Sequence, residues 1–355
     1  MVKNEKQASP WLELGIKRDF LHREEVDKRS RHFDPAHPHG VLTDPHSAPK
    51  PLALAKLYTT GRASLTQLQQ IVKEYGLALS WPQQFFNYLT GVLSGNFGTD
   101  TQYHIPEMTV IGKFIPITLE LVVVGQIAGV LIGLYTGGIS AANRNHPLDY
   151  GTKAVYLVTW SAPVFVVAFL VQFAFAYWLK LLPSSGMVDP TIPTPAALTG
   201  VPGVDAILAG NWPYFWSLTQ HLVLPALTLA IISFGLVTRI SRASMIDALD
   251  KDYVKLAYMK GLSKNRVVWG TAFRNALLPI ITLVALIFAF SAGGAVIVED
   301  VFFYHGAGWF TVNAIYNFDY PAILAFTLII GISVIVANLV ADLLYAVADP
   351  RVRLT

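Results

Sequence analysis

Residues able to carry chemistry are sparse in this 355-residue sequence, and most stand near the edges of apolar runs. Glu120, His221 and Asp342 fall within such runs, where an ionisable group is costly in lipid and invites a functional reading. A proton or ion relay needs several such groups within reach of one another. These three lie on separate runs near their ends, so hydrogen bonding between helices is the simpler account. His221 beside Thr219 is the one weak candidate for a nucleophile–base pair, which an intramembrane enzyme would need. Glu299 and Asp300, at the end of another run, are either solvated or placed to meet a solute or an external protein. Asn313, Asn317 and Asp319 share that ambiguity. No G-x-x-x-x-G-K-[ST] loop is present to cradle phosphates, and neither H-E-x-x-H nor G-x-S-x-G occurs. The absence of cysteine removes disulfides and thiolate chemistry. His22, His32, His37, His39 and His46 are irregularly spaced apart from one close pair, and no acidic or cysteine pattern partners them. They read as a polar tail, and no metal site is expected.

The elements that must position these residues are membrane helices. Hydrophobic residues make up 53% of the chain and charged residues 14%, against about 25% charged for a soluble domain. With a net charge of +3 and the basic residues confined to certain loops, nucleic acid is a poor partner. Five stretches are long enough to cross: about 114–139, 153–180, 217–237, 272–298 and 321–346. Pro163, Pro225 and Pro279 lie inside them, either as gating kinks or as ordinary membrane-helix prolines. Arg144, Lys153, Arg351, Arg353 and the basic residues between Arg239 and Arg274 fall in one set of loops. The other set, 181–216 and 299–320, has no Lys or Arg. The basic set is therefore expected on the cytoplasmic side, together with the C-terminus. Trp212, Tyr214 and Trp216 suit a membrane interface.

The longest basic segment, Arg239 to Thr282, contains a short amphipathic helix from Asp252 to Gly261. Asp250 or Asp252 is expected to cap it, Val254, Ala257 and Tyr258 share a face, and Gly261 stops it before a new helix near Ser263. Within it the order Asp252-Tyr253, Ala257, Gly261-Leu262-Ser263, then Arg274-Asn275-Ala276-Leu277-Leu278-Pro279, resembles the EAA loop of ABC-importer permeases. More narrowly it is similar to the B-type subunit of the dipeptide/oligopeptide permeases. Ile117-Thr118-Leu119-Glu120-Leu121, Asn317-Phe318-Asp319-Tyr320-Pro321, Ala341-Asp342-Leu343-Leu344-Tyr345 and Asp349-Pro350-Arg351 fit the same subunit, so the likeness runs from about residue 66 to the C-terminus.

The resemblance implies an all-α polytopic protein of the plasma or inner membrane, with about five spans, a cytoplasmic coupling helix and a small extracytoplasmic helical region. It implies a second, C-type permease, two ATP-binding subunits that hold ATP-Mg, and an extracytoplasmic solute-binding protein as partners, with membrane lipid around them. This chain would carry no cofactor and no ATPase site of its own. Asp252, Tyr253, Ala257, Lys260 and Gly261 would form the coupling surface. Lys255-Leu256-Ala257-Tyr258 departs from the family's usual small-residue pair, leaving Leu256 and Tyr258 bulky. Short peptides are the expected solute, with oligosaccharides or metal chelates as alternatives. An ion-coupled secondary transporter is the competing class, and it should show inverted repeats with broken helices and buried charged pairs.

Residues 1–63 read as a polar lead-in, 64–112 as the extracytoplasmic helical region and 113–355 as the transmembrane domain. In the lead-in the best apolar stretch is Pro51 to Tyr58, too short to span. The family's first span is thus not evident. A different reading-frame start, loss of the helix and its supply by another chain remain open.

Overall fold

The computed structural model describes Pro51, Ala55 and residues 64–100 and 105–348. Apart from Pro51 and Ala55, the polar lead-in lies outside these residues, and with it its histidines and the question of a first span. The described residues fall into two compact units divided between Ser80 and Trp81. In the first unit, α1 (Leu65–Glu74) begins with a capping box: Ser64 accepts from the Gln67 amide and the Gln67 side chain accepts from the Ser64 amide.

The second unit opens with α2 (Trp81–Leu93). It continues with α3 (Glu107–Ala142), α4 (Pro147–Ser161) and α5 (Val164–Gln172), the last prolonged by a π-helical turn, Phe173–Trp178. Next come α6 (Pro202–Leu208), α7 (Trp212–Leu249) and α8 (Asp252–Met259). A π-helical segment, Arg266–Ala272, leads into α9 (Phe273–Phe302), followed by α10 (Ala307–Tyr316) and α11 (Tyr320–Ala348). Among the described residues there is no strand, only an isolated bridge between Thr99 and Pro106.

Three helices, α3, α7 and α11, are each long and apolar enough to cross a bilayer, and two bent pairs raise the number to five. At 36 and 38 residues, α3 and α7 reach about 54 and 57 Å, well beyond a hydrocarbon core of about 30 Å. The expected span at 153–180 is not one rod. The chain turns by 107° between α4 and α5, where Pro163 caps α5. The fourth span bends by 63° at Pro279, whereas Pro225 stays inside α7, fully enclosed.

The core of the unit is the crossing of α3 on α7. Gly125, Gly129, Gly133 and Gly137 recur every fourth residue and so line one face of α3. They meet Ala226 and Leu229, then Ala230 and Ser233, then Val237 and Thr238, then Ser241 in the same order along α7. The two helices therefore run parallel, and the α4–α5 pair returns the chain between them. The approach is backbone to backbone: a Cβ on Gly129 would lie 2.7 Å from the Ala230 carbonyl oxygen and against the Ser233 hydroxyl.

The loops separate to the two ends of this crossing, as the Lys/Arg pattern anticipated. At one end Arg144 pairs with Asp250 at 3.3 Å and Lys264 reaches Asn143 at 3.3 Å. At the other, the Gly186 amide donates to the Phe302 carbonyl at 2.9 Å and the Gly203 amide to Glu120 at 3.1 Å. The first is called here the basic end.

Gly129→Leu should destabilise the purified chain strongly, since overpacking costs about 1–3 kcal/mol even where side chains can yield and here backbone must move. Gly112→Ala, on the same helix with nothing within 4 Å of the new methyl, should leave the thermal unfolding midpoint unchanged or slightly raised. Equal midpoints for both variants would remove the crossing from its place as the core.

Candidate functional site

At the basic end, α8 is suspended between α7 and the π-helical start of α9. Only Val254 and Ala257 turn inward, and they pack with Ala141, Met245, Ala248, Val267 and Val268. Lys251, with no side-chain cap bond, occupies the N-cap, so neither Asp250 nor Asp252 fills that role. Asp250 instead pairs with Arg144, and Asp252 with Lys255 at 2.8 Å. Lys255 beside it holds the exposed Asp252 carboxyl below the usual carboxylate range.

The end of α8 is closed as the sequence suggests. Gly261 sits at φ +78°, its amide donates to the Tyr258 carbonyl at 2.9 Å, and the Leu262 amide to the Ala257 carbonyl at 3.3 Å. These are the two bonds of a Schellman stop. Leu262 then folds its side chain against the same cluster as Val254 and Ala257.

The five residues expected to form a coupling surface thus divide. Asp252 and Lys260 are exposed and Tyr253 half-exposed at the rim, and Gly261 sets the turn. Ala257, only 7% exposed, faces the chain's own core. Tyr258, expected on the inner face, is 46% exposed; with Leu256 at 51% and Met259 at 79% it forms the outward apolar face of α8.

The basic end also holds a carboxylate that the sequence did not single out. Asp149, in the first turn of α4, is fully buried. It accepts from Ser140 Oγ at 2.6 Å, the Asn145 amide at 3.0 Å and Arg242 Nε and Nη2 at 2.6 and 2.9 Å, and it pairs with Lys153 at 2.9 Å. One side chain therefore joins the end of α3, the start of α4 and the lower half of α7. The local part was readable, since Pro147, Asp149 and Lys153 spell a helix start with an i,i+4 pair. Arg242 was not, being distant in sequence.

At the opposite end Glu299 is also fully buried, not solvated. It accepts from Thr118 Oγ1 at 2.6 Å and from the Trp309 amide at 3.0 Å, while the Ala307 amide donates to Thr118 at 2.7 Å. It caps the N-terminus of α10 from α9. Asp300 and Asn317 are exposed. Asn313 and Asn317 both bond carbonyls of their own helix or its last turn. Asp319, fully buried, precedes α11 and is not gathered with Glu299.

Of the intramembrane groups, Glu120 accepts from the Gly203 amide and His221 Nδ1 lies 2.8 Å from the Ser217 carbonyl. Thr219 donates to the Phe215 carbonyl, so His221 and Thr219 are each engaged along their own helix. The Asp342 side chain lies outside the described residues. Two apolar cavities flank α3. One of about 770 Å³ lies against α9 and α11, with Thr118 and Ser333 among its lining; one of about 400 Å³ lies against α7 and α9, with Gln126, Ser233 and Ser291.

A bundle of long apolar helices with helical loops at both ends is the architecture of a multi-pass integral membrane protein. The chain belongs to the family of binding-protein-dependent transport system inner membrane components, whose model matches residues 129–354. It is 35% identical over 298 residues to a probable D,D-dipeptide transport system permease protein of Escherichia coli (strain K12), covering 84% of this chain and 88% of that one. It is 32% identical over 292 residues to a dipeptide transport system permease protein of Alkalihalophilus pseudofirmus, with 82% and 87% covered. To an oligopeptide transport system permease protein of Bacillus subtilis (strain 168) it is 32% identical over 293 residues, again with 82% and 87% covered.

Asp149→Ala strands Arg242 without its partner. The loss should fall toward the lower end of about 3–5 kcal/mol for breaking a buried pair, because Arg242 and Lys153 keep some contact with solvent. The expected readout is a lowered unfolding midpoint with faster hydrogen exchange at Asn145; an unchanged midpoint would refute the clamp.

Proposed function

We propose that this chain is one of two permeases of an ATP-driven importer of short peptides, and that α8 is the part its ATP-hydrolysing partner grips. The observation that carries the reading is the two-sidedness of α8. Its inner residues, Val254 and Ala257, are locked into the core at the basic end, while Leu256, Tyr258 and Met259 face outward and Tyr253 stands at the rim. A push on that outer face would pass directly into α7 and the start of α9. The names of the relatives support peptides as the solute, and the Lys and Arg residues gathered at the basic end support its standing in the cytoplasm.

On this reading ATP-Mg binds in two partner subunits and the reaction needs no cofactor here. A second, C-type permease covers the exposed apolar side of α11 and completes the solute path. A binding protein delivers the peptide to the opposite end. Both ATP and the loaded binding protein must favour the outward-facing state, since a ligand shifts an equilibrium only through differential affinity.

The test is purification from native membranes in mild detergent, with every co-purifying subunit identified. Leu256→Glu changes an exposed residue, so the second permease should still be recovered while the ATPase subunit is lost or reduced at least tenfold. Gly261→Val should also weaken ATPase recovery, because a β-branched residue at this φ strains the stop by about 1–2 kcal/mol. Recovery of the chain alone from wild-type membranes, or solute movement in vesicles without ATP, would sink the assignment.

A further inference from the structure

At the end of α3 remote from α8, three carboxylates from separate segments converge. Asp100 lies in the loop before α3, Glu107 is the first residue of α3, and Asp319 precedes α11. All three are fully buried, and one oxygen of each lies within 4.8 Å of the others. Among the described residues, both carboxylate oxygens of Glu107 lack a hydrogen-bond partner. An acidic side chain so enclosed, with neither oxygen satisfied, is too costly to stand as a bare anion. The other buried carboxylates outside this group among the described residues, Asp149, Asp205 and Glu299, are all bonded.

We propose that Asp100, Glu107 and Asp319 form a binding site for a hard divalent cation of calcium size. Carboxylate oxygens are the ligands such ions take, at about 2.3–2.6 Å, so two ligands on one ion can stand up to about 4.6–5.2 Å apart. Three oxygens no more than 4.8 Å apart lie within about 2.8 Å of a common centre, so a small side-chain adjustment brings all three onto one ion. Magnesium holds its oxygens at about 2.0–2.1 Å in a stricter octahedron and fits a spread of this size less well. Backbone carbonyls or water complete the six to eight oxygens calcium needs. Transition metals that prefer imidazole or thiolate are disfavoured by an all-carboxylate set.

The backbone around the site is already arranged to be joined. The Asp100 amide donates to the Ile105 carbonyl and the Glu107 amide to the Gly98 carbonyl, both at 3.0 Å, which folds the loop back on itself. Gly98, at φ +99°, lies flat against Pro321, where a Cβ would stand 3.2 Å away. Asp319 donates its amide to the Ala314 carbonyl at 2.8 Å and accepts from the Ala322 amide at 3.2 Å. A cation here ties the entry of α3 to the entry of α11, on the end opposite α8. Nothing in the sequence predicted it, because the ligands come from distant positions in no motif spacing.

The probe is Ca²⁺ itself, added to the full-length chain in detergent after exhaustive chelation, with equilibrium dialysis and thermal unfolding as readouts. The wild type should bind one Ca²⁺ per chain saturably, more tightly than Mg²⁺, and unfold at a higher temperature when loaded. Glu107→Gln and Asp319→Asn should each weaken binding at least tenfold and abolish the calcium-dependent shift. Should those variants fail to fold, hydrogen exchange on the wild type decides: Ca²⁺ should slow exchange at the Glu107 and Ala322 amides selectively. Absence of saturable binding at millimolar Ca²⁺ would overturn the proposal and leave the carboxylates neutralised by protons. Undiminished binding in Glu107→Gln would overturn it equally, by placing the ion elsewhere.

Discussion

The interaction on which the rest depends is the contact of two backbones, α3 and α7, along the row Gly125, Gly129, Gly133 and Gly137. In a bilayer, apolar side chains gain little by leaving lipid for one another, so helix association rests on close van der Waals packing and on polar bonds between helices. Four glycines on one face let α7 sink onto α3 until its own main chain is the contacting surface. Because the helices are parallel, the two ends of the crossing are chemically distinct, and every loop is assigned to one end or the other. The return segment is divided into two pieces, each shorter than a full span, by the 107° bend beside Pro163.

At each end a buried carboxylate fastens neighbouring elements to this crossing. Asp149 does it with two cations, a hydroxyl and an amide, and Glu299 with a hydroxyl and the first amides of α10, where a helix N-terminus favours negative charge. Both work because their networks are filled, and a half-filled network would be worse than an apolar one. Gly306 and Gly308 show how tightly Glu299 is enclosed, since a Cβ on either would press into its carboxylate or the α9 backbone. The loops thus gain fixed positions from polar bonds where the apolar core cannot reach.

Much of this architecture was legible. Apolar length marked the spans, the Lys/Arg asymmetry sorted the loops into the two sets the fold brings to opposite ends, and Gly261 announced the helix stop it makes. The glycine row was equally readable as a small-residue repeat of period four, but a search for chemistry passes over residues without side chains. What could not be read were pairings between distant positions. Arg242 reaches Asp149 and Thr118 reaches Glu299 because helices cross, and no local spacing records a crossing. Burial reversed other expectations. Glu299 stands at a span's end in sequence yet is covered by α10. The inner face of α8 ends at Ala257, not Tyr258, because Leu262 folds back under the helix and takes the next place in the core.

That last detail bears on the departure of Lys255-Leu256-Ala257-Tyr258 from the small-residue pair common at this position. The small residue is retained where smallness matters, on the buried side, where Ala257 packs closely beside Val254, Val267 and Val268. The bulk of Leu256 and Tyr258 is spent outward. On the proposed reading a partner would then have to offer a cleft that receives two large side chains, not a flat face that small residues approach. Such a joint gains from apolar burial, at about 25 cal/mol per Å² removed from water, and would resist pulling as well as pushing. A lever that must both close and reopen the path needs grip in both directions, and a knob seated in a cleft supplies it where two flat faces would part.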